Sequence, residues 1–177
     1  MIPVDIPPQM EERVICSIVA AVKYDQAANV ILAVAGQENG KPGQRVMNTN
    51  GTEDVGPMQF NTSYLKELGK YGITEEDVSK PGCYPYELAA WRIRGHVLND
   101  QGDYWTRVAN YHSRTPVYNE RYKRLIQRRA VEWAKWLDIH FQTTTVSSQE
   151  AVKTGAAQAG SVTLRLRSAD SFAVNGR

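Results

Sequence analysis

"AVAGQENGKPGQRVMNTNGTEDVGPMQFN", Ala33 to Asn61, begins as an apolar helix and continues as a polar loop that closes on the compact "GPMQFN". Glu38 stands where the apolar run ends. It follows Val34 by four residues and Ile31 by seven, so its carboxyl shares a helix face with them. A carboxylate beside Val and Ile loses hydration, which favours its neutral form and raises its pKa. That is how a glutamate becomes a general acid near neutral pH. The plainer alternative is a surface Glu at a helix end, where the partial negative charge of the helix C-terminus disfavours it. The loop adds Asn48, Asn50, Gly51 and Thr52, which supply amides, a hydroxyl and a tight turn. Met58 and Gln59 set an apolar contact beside an amide, and Tyr111 can flank a sugar ring. One acid among amides and aromatic rings is the chemistry that carbohydrate cleavage needs. Each residue also has an ordinary role: Asn and Gly as turn formers, Met58 as core, Tyr111 as helix packing.

Around this stretch nearly every periodic segment reads as helix. Glu11 to Tyr24 is apolar at Val14, Ile15, Ile18, Val19 and Val22. Asp25 can cap a second helix that runs to Glu38. Turns near Gly51 leave room for a small hairpin. Asn61 or Thr62 starts a short helix that ends at Gly72, and Thr74 opens "TEEDV", with acids in the first turn. Pro85 suits the first turn of a helix through Asn99. Asp103 caps the next, through Tyr111. Thr115 and Pro116 open the longest, to about His140, with an inner stripe of Tyr118, Tyr122, Leu125, Ile126, Trp133 and Leu137. The fold class is therefore all-α, with at most a small hairpin. Residues 1–10 read as an N-terminal extension and 11–141 as one domain. Residues 142–177, rich in Thr, Ser, Ala, Gly and Gln, read as a disordered tail.

Composition narrows the function. The chain has 177 residues, 42% of them apolar, and a net charge of +2. Such a charge does not call for nucleic acid, although five basic residues between Arg121 and Arg129 keep a helical nucleic-acid binder in view. No apolar run approaches the ~20 residues of a membrane span. The N-terminus lacks the basic and hydrophobic regions of a signal peptide. There is no phosphate loop, GxSxG elbow, HExxH or CxxC pair. His96, His112 and His140 are scattered, so neither metal nor cofactor is expected. Cys16 and Cys83 are either buried small hydrophobes or one disulfide of an oxidising compartment.

Glu38, then "NTNGTEDVGPMQFN", then "YHSRTP" with "NERY", resembles the SLT-type lytic transglycosylase domain. The resemblance is strongest to the small specialised kind found with conjugation, type IV secretion and pilus systems. It runs from about Cys16 to about Leu137. Its motifs are weak singly and specific in their order. It implies the lysozyme-like fold of soluble lytic transglycosylases, with Glu38 as catalytic acid/base. Thr52, Met58, Gln59 and Tyr111 map onto saccharide-binding positions, and Asn48, Asn50, Asp54 and Tyr122 stand where they would support the site. Cys16 and Cys83 fall where this group commonly carries its disulfide. This sequence departs from the pattern at Asn39, where Ser commonly follows the acid. It departs also at Pro57 and Phe60, for Leu and Ile, and at His112, for Asn.

By the same resemblance the partner is the peptidoglycan glycan strand, with components of a conjugation, type IV secretion or pilus apparatus beside it. The location is the periplasm of a Gram-negative bacterium. Most glycosidases use two carboxylates. Near Glu38 only Glu53 and Asp54 could serve as a second. A single carboxylate suffices if the substrate's own hydroxyl attacks. Three rivals remain: a goose-type-lysozyme-like hydrolase completed by Asp54 or a positioned water, a non-catalytic muropeptide-binding scaffold, and the helical nucleic-acid binder using the Arg121 to Arg129 helix, which the weak net charge disfavours.

Overall fold

The computed structural model describes residues 8–140. The segment read as a tail lies outside the described residues, as do the first seven. Seven helices run in chain order: α1 (Pro8–Lys23), α2 (Ala28–Glu38), α3 (Thr62–Leu68), α4 (Glu75–Ser79), α5 (Tyr84–Asn99), α6 (Tyr104–Ala109) and α7 (Pro116–His140). Three short strands lie between α2 and α3: β1 (Arg45–Met47), β2 (Glu53–Val55) and β3 (Phe60–Asn61). They form one antiparallel sheet in the order β1-β2-β3. Arg45 pairs with Val55, and Asp54 with Asn61. This is the expected all-α class with a small sheet, and it fits a lysozyme-like fold.

The centre of the molecule is α2. Every residue from Ala28 to Ala35 is buried. All but Asn29 are apolar, and the Asn29 amide donates to the Ala130 carbonyl. α7 packs along it, and α1 and α5 pack against it and each other. Val30, Ile31, Leu32 and Val34 are fully enclosed. Truncating one of them, as in Ile31→Ala, costs about 2–5 kcal/mol because the packed neighbours cannot close the void. A disulfide joins Cys16 of α1 to Cys83 at the start of α5, across 67 residues. A loop of that length stabilises by about 4 kcal/mol in the chain-entropy account.

Several helix ends follow the sequence reading. Asn61 accepts a hydrogen bond from the Ser63 N–H at the start of α3. Thr74 and Asp77 form a reciprocal capping box on α4. The Asp103 side chain caps α6, which stops at Ala109, two residues short of the expected Tyr111.

Two expectations are corrected. Asp25 does not cap α2. It takes a left-handed conformation, φ 50°, in the turn between α1 and α2, which the short polar Asp tolerates. Ala27 holds the cap position without a side-chain bond. On α7, Tyr118 is 58% exposed and does not join the inner stripe. Asn119 is buried there instead. Its amide donates to the carbonyls of Thr106 and Ser113 and to Asn110 Oδ1, so a polar residue is tolerated inside.

Candidate active site

α2 ends one residue before Asn39. Asn39 adopts φ 50° and returns its N–H to the Ala35 carbonyl, a left-handed C-cap. The Arg13 guanidinium bonds both Asn39 Oδ1 and the Gly40 carbonyl, fixing the turn. Gly40 then passes so close to the chain that a Cβ there would lie 2.1 Å from the Gly56 carbonyl oxygen. Gly56 is equally constrained, since its own Cβ would meet the Val78 carbonyl at 2.1 Å. The first approach seats the "GPMQ" turn against the end of α2, which puts Glu38 beside it, and the second seats the same turn against α4.

Glu38 is partly buried. The Tyr122 hydroxyl, from α7, donates a hydrogen bond to its Oε1. Burial pushes the Glu38 carboxyl up to about 7. The Tyr122 bond and the Arg92 charge pull it down, while the Asp54 charge pushes it up. Burial dominates because an ionised carboxyl loses more on leaving water than one hydroxyl returns. The phenols of Tyr111 and Tyr122 are themselves held well above their ordinary range, first by burial and then by the nearby Glu38 charge. Tyr122 therefore stays a proton donor at every pH where Glu38 titrates.

Around this pair the turn is held from below. The Tyr111 hydroxyl donates to the Met58 carbonyl at 2.8 Å. Met58 is fully buried. Gln59 takes a left-handed φ of 50°, unusual for a residue with a Cβ. Its amide donates to the Gly56 carbonyl, so the turn carries its own bracing. Tyr111 is only 4% exposed, with Phe60 at its edge. Its ring is thus part of the floor beneath Met58. His112 lies parallel to the Tyr122 ring, centroids 4.6 Å apart, where it covers the residue that holds the acid. Burial lowers the His112 pKa, and the Asp54 charge partly restores it.

The hairpin presents Asp54. Thr52 donates to Asn50 Oδ1 and accepts from Asn48, which closes the β1–β2 turn. Asn61 ties the hairpin together, its amide donating to Thr52 Oγ1 at 2.9 Å and to Asp54 Oδ1 at 3.0 Å. All the candidate residues therefore belong to one connected region, although Asn48, Asn50 and Thr52 bond chiefly to one another at the turn.

Sequence reasoning passed over Asn61 and Arg92. Asn61 is the last residue of "GPMQFN", where the sequence offers it as a helix start and as the end of a motif but not as a brace for Asp54. Arg92 gave no signal in its own segment. A surface depression of about 430 Å³, lined by Thr62, Ser63, Leu65, Lys66, Thr74 and Glu75, shares no residue with this cluster. Among the described residues no group of His, Cys, Asp and Glu is arranged to hold a metal ion, and no helix is long and apolar enough to cross a membrane.

The loop from Asn110 to Thr115, which carries Tyr111 and His112, is anchored by Asp100. This carboxylate accepts from Asn110, from Arg114 and from the His96 ring. Burial works against its charge, but these bonds prevail and hold it down at about 2.

No family model matches the chain. It is similar to the "Invasion protein IagB" of Salmonella typhimurium, with 30% identity over 101 residues, which is 56% of this chain and 62% of the relative. The IagB protein of Salmonella typhi matches to the same extent. The "Protein IpgF" of Shigella flexneri is 29% identical over 97 residues, 54% of this chain and 63% of the relative. The chain thus spans less than two thirds of the length of these curated relatives.

Proposed function

We propose that this chain is a peptidoglycan lytic transglycosylase that cuts the β-1,4 bond between MurNAc and GlcNAc. The observation that carries the reading is Glu38, a carboxyl lifted to about 7 by burial and oriented by Tyr122. Near neutral pH such a group is populated as both acid and base, as a residue must be to perform both steps.

In the first step Glu38 protonates the glycosidic oxygen, and the bond from MurNAc C1 to that oxygen breaks. In the second, the MurNAc C6 hydroxyl attacks C1 and its proton returns to Glu38. The C1–O6 bond closes a 1,6-anhydro ring, no water is consumed, and the enzyme regains its starting protonation. Thr52, Met58, Gln59 and Tyr111 shape the surface that receives the sugars, Met58 and Tyr111 from beneath it. Asn48, Asn50 and Asn61 hold Thr52 and Asp54 in place.

The setting is part of the proposal. The Cys16–Cys83 disulfide suits an oxidising compartment, and the substrate lies in the periplasm. The Salmonella relative is named an invasion protein. Together with the resemblance to the specialised transglycosylases, this supports local wall opening for an envelope-spanning secretion, conjugation or pilus apparatus.

One observation favours a second reading. Asp54 lies close enough to Glu38 to raise its pKa, so Asp54 could position a water and make the reaction a hydrolysis. Digestion of purified peptidoglycan separates the two. Anhydro ends support the transglycosylase, and reducing ends support the hydrolase. Failure of the folded protein to release any muropeptide would overturn both.

A further inference from the structure

Arg92 is a half-buried cation of this region, and its bonding differs from that of Arg13, Arg45 and Arg114. Its guanidinium carbon lies 3.9 Å from the centre of the Tyr64 ring and 4.8 Å from that of Tyr111. Arg45 pairs with Glu53 and Glu75, Arg114 with Asp100, and Arg13 with Asn39 and Gly40. Arg92, among the described residues, forms no ion pair with an aspartate or glutamate and gives its N–H groups to no acceptor. It is nevertheless near enough to Glu38 to lower that carboxyl's pKa.

Aromatic neighbours hold a guanidinium in place without consuming its N–H donors. Those donors are five in number, planar, and spaced to grip a carboxylate through two parallel bonds. A positioned fork with unused donors is therefore set for an anion arriving from outside. Tyr111, one of the two flanking rings, also holds the Met58 carbonyl, so the fork is fixed relative to the turn beside Glu38.

On the reading proposed above, the incoming polymer is a glycan strand. Its sugar backbone is uncharged where the muramyl lactyl groups are amide-linked. Its carboxylates sit on the peptide stems. The geometry points to Arg92 as a carboxylate-binding position that selects glycan strands carrying acidic peptide stems. This inference rests on the proposed function for the identity of the polymer, but it is read through binding and not through turnover.

The test is co-sedimentation of the full chain with insoluble peptidoglycan sacculi. Native sacculi are compared with sacculi whose free carboxylates have been converted to methylamides. The wild type should bind native sacculi about tenfold more tightly, the loss expected on removing one charged hydrogen-bonded contact. Arg92→Gln should bind both at the wild-type level for amidated sacculi. Arg92→Lys, which keeps the charge but lacks the fork, should recover only part of the preference. Arg94→Gln, a change at an exposed arginine two residues away, should keep all of it. Equal wild-type binding to both sacculi would overturn the inference. So would an Arg92→Gln variant that keeps the preference, or an Arg94→Gln variant that loses it as fully. Preferential binding without muropeptide release would sink the proposed catalysis and leave this site standing, and release without preference would do the reverse.

Discussion

Replacing Glu38 by Gln should make the protein more stable, and only above a definite pH. The carboxyl titrates at about 7 in the folded chain against an ordinary value of 4.5. Between those two values the folded state keeps a proton that the unfolded state has lost. Stability contributed by this group therefore falls as pH rises through the window, and the loss is complete above about 7. Across about 2.5 pH units at 1.36 kcal/mol each, the penalty comes to roughly 3.4 kcal/mol. Gln carries no such charge, and its amide oxygen can still accept the Tyr122 hydroxyl. The two proteins should melt within a degree or so of each other near pH 4.5. At pH 8 the variant should melt higher by several degrees, up to roughly 10 °C for a domain of this size. Urea or thermal melts of both proteins at half-unit steps from pH 4.5 to 8.5 give the measurement. Parallel stability curves would show that Glu38 titrates normally, and the argument from burial to acid catalysis would fail with them.

Other expectations follow from the same geometry. Tyr122→Phe removes the hydroxyl that lowers the Glu38 pKa. With a charged hydrogen bond worth about 1.5–3 kcal/mol, the alkaline limb of the pH–rate profile on peptidoglycan should move up by about one pH unit, and an unmoved limb would refute the assigned contact. Tyr111→Phe leaves the buried Met58 carbonyl without its donor. It should cost about 1–3 kcal/mol in a urea melt and slow turnover, whereas Gln59→Ala should slow turnover with a smaller change in stability. Replacing Cys16 and Cys83 together by Ala should cost about 4 kcal/mol. Thiol titration of the denatured, unreduced wild type from an oxidising compartment should find no free thiol.

The parts of the fold that the sequence disclosed are those set by local chemistry. Asn61, Thr74 and Asp103 cap helices because their side chains reach N–H groups two or three residues away. The apolar run through Ile31 and Val34 could only be a core helix. Local rules failed where a distant contact decides. Asp25 looks like a cap, but the chain turns there with φ positive. Tyr118 is expected on the inner stripe but is exposed, and the neighbouring Asn119 goes inside because Thr106, Asn110 and Ser113 satisfy its amide. The strands are two or three residues long, too short to leave an alternating pattern. In the candidate site, Glu38 was legible from its spacing against the apolar face. Its contact with Tyr122, 84 residues on, was legible only as two separate motifs. Arg92 lies in a helix whose pattern reports packing alone, and its meeting with Tyr64 and Tyr111 depends on three elements coming together.

The central claim is that Glu38 acts alone, with the sugar's own hydroxyl as nucleophile. Mass spectrometry of muropeptides released from purified peptidoglycan addresses it most directly. The wild type should yield fragments ending in 1,6-anhydro-MurNAc, about 18 Da lighter than the hydrolysed form because no water enters. Glu38→Gln, folded and at least as stable, should yield none above background, since general acid–base transfer alone is worth about 10²–10⁴-fold. Reducing ends from the wild type would contradict the claim and turn attention to Asp54. Anhydro products from Glu38→Gln would remove Glu38 from the chemistry altogether.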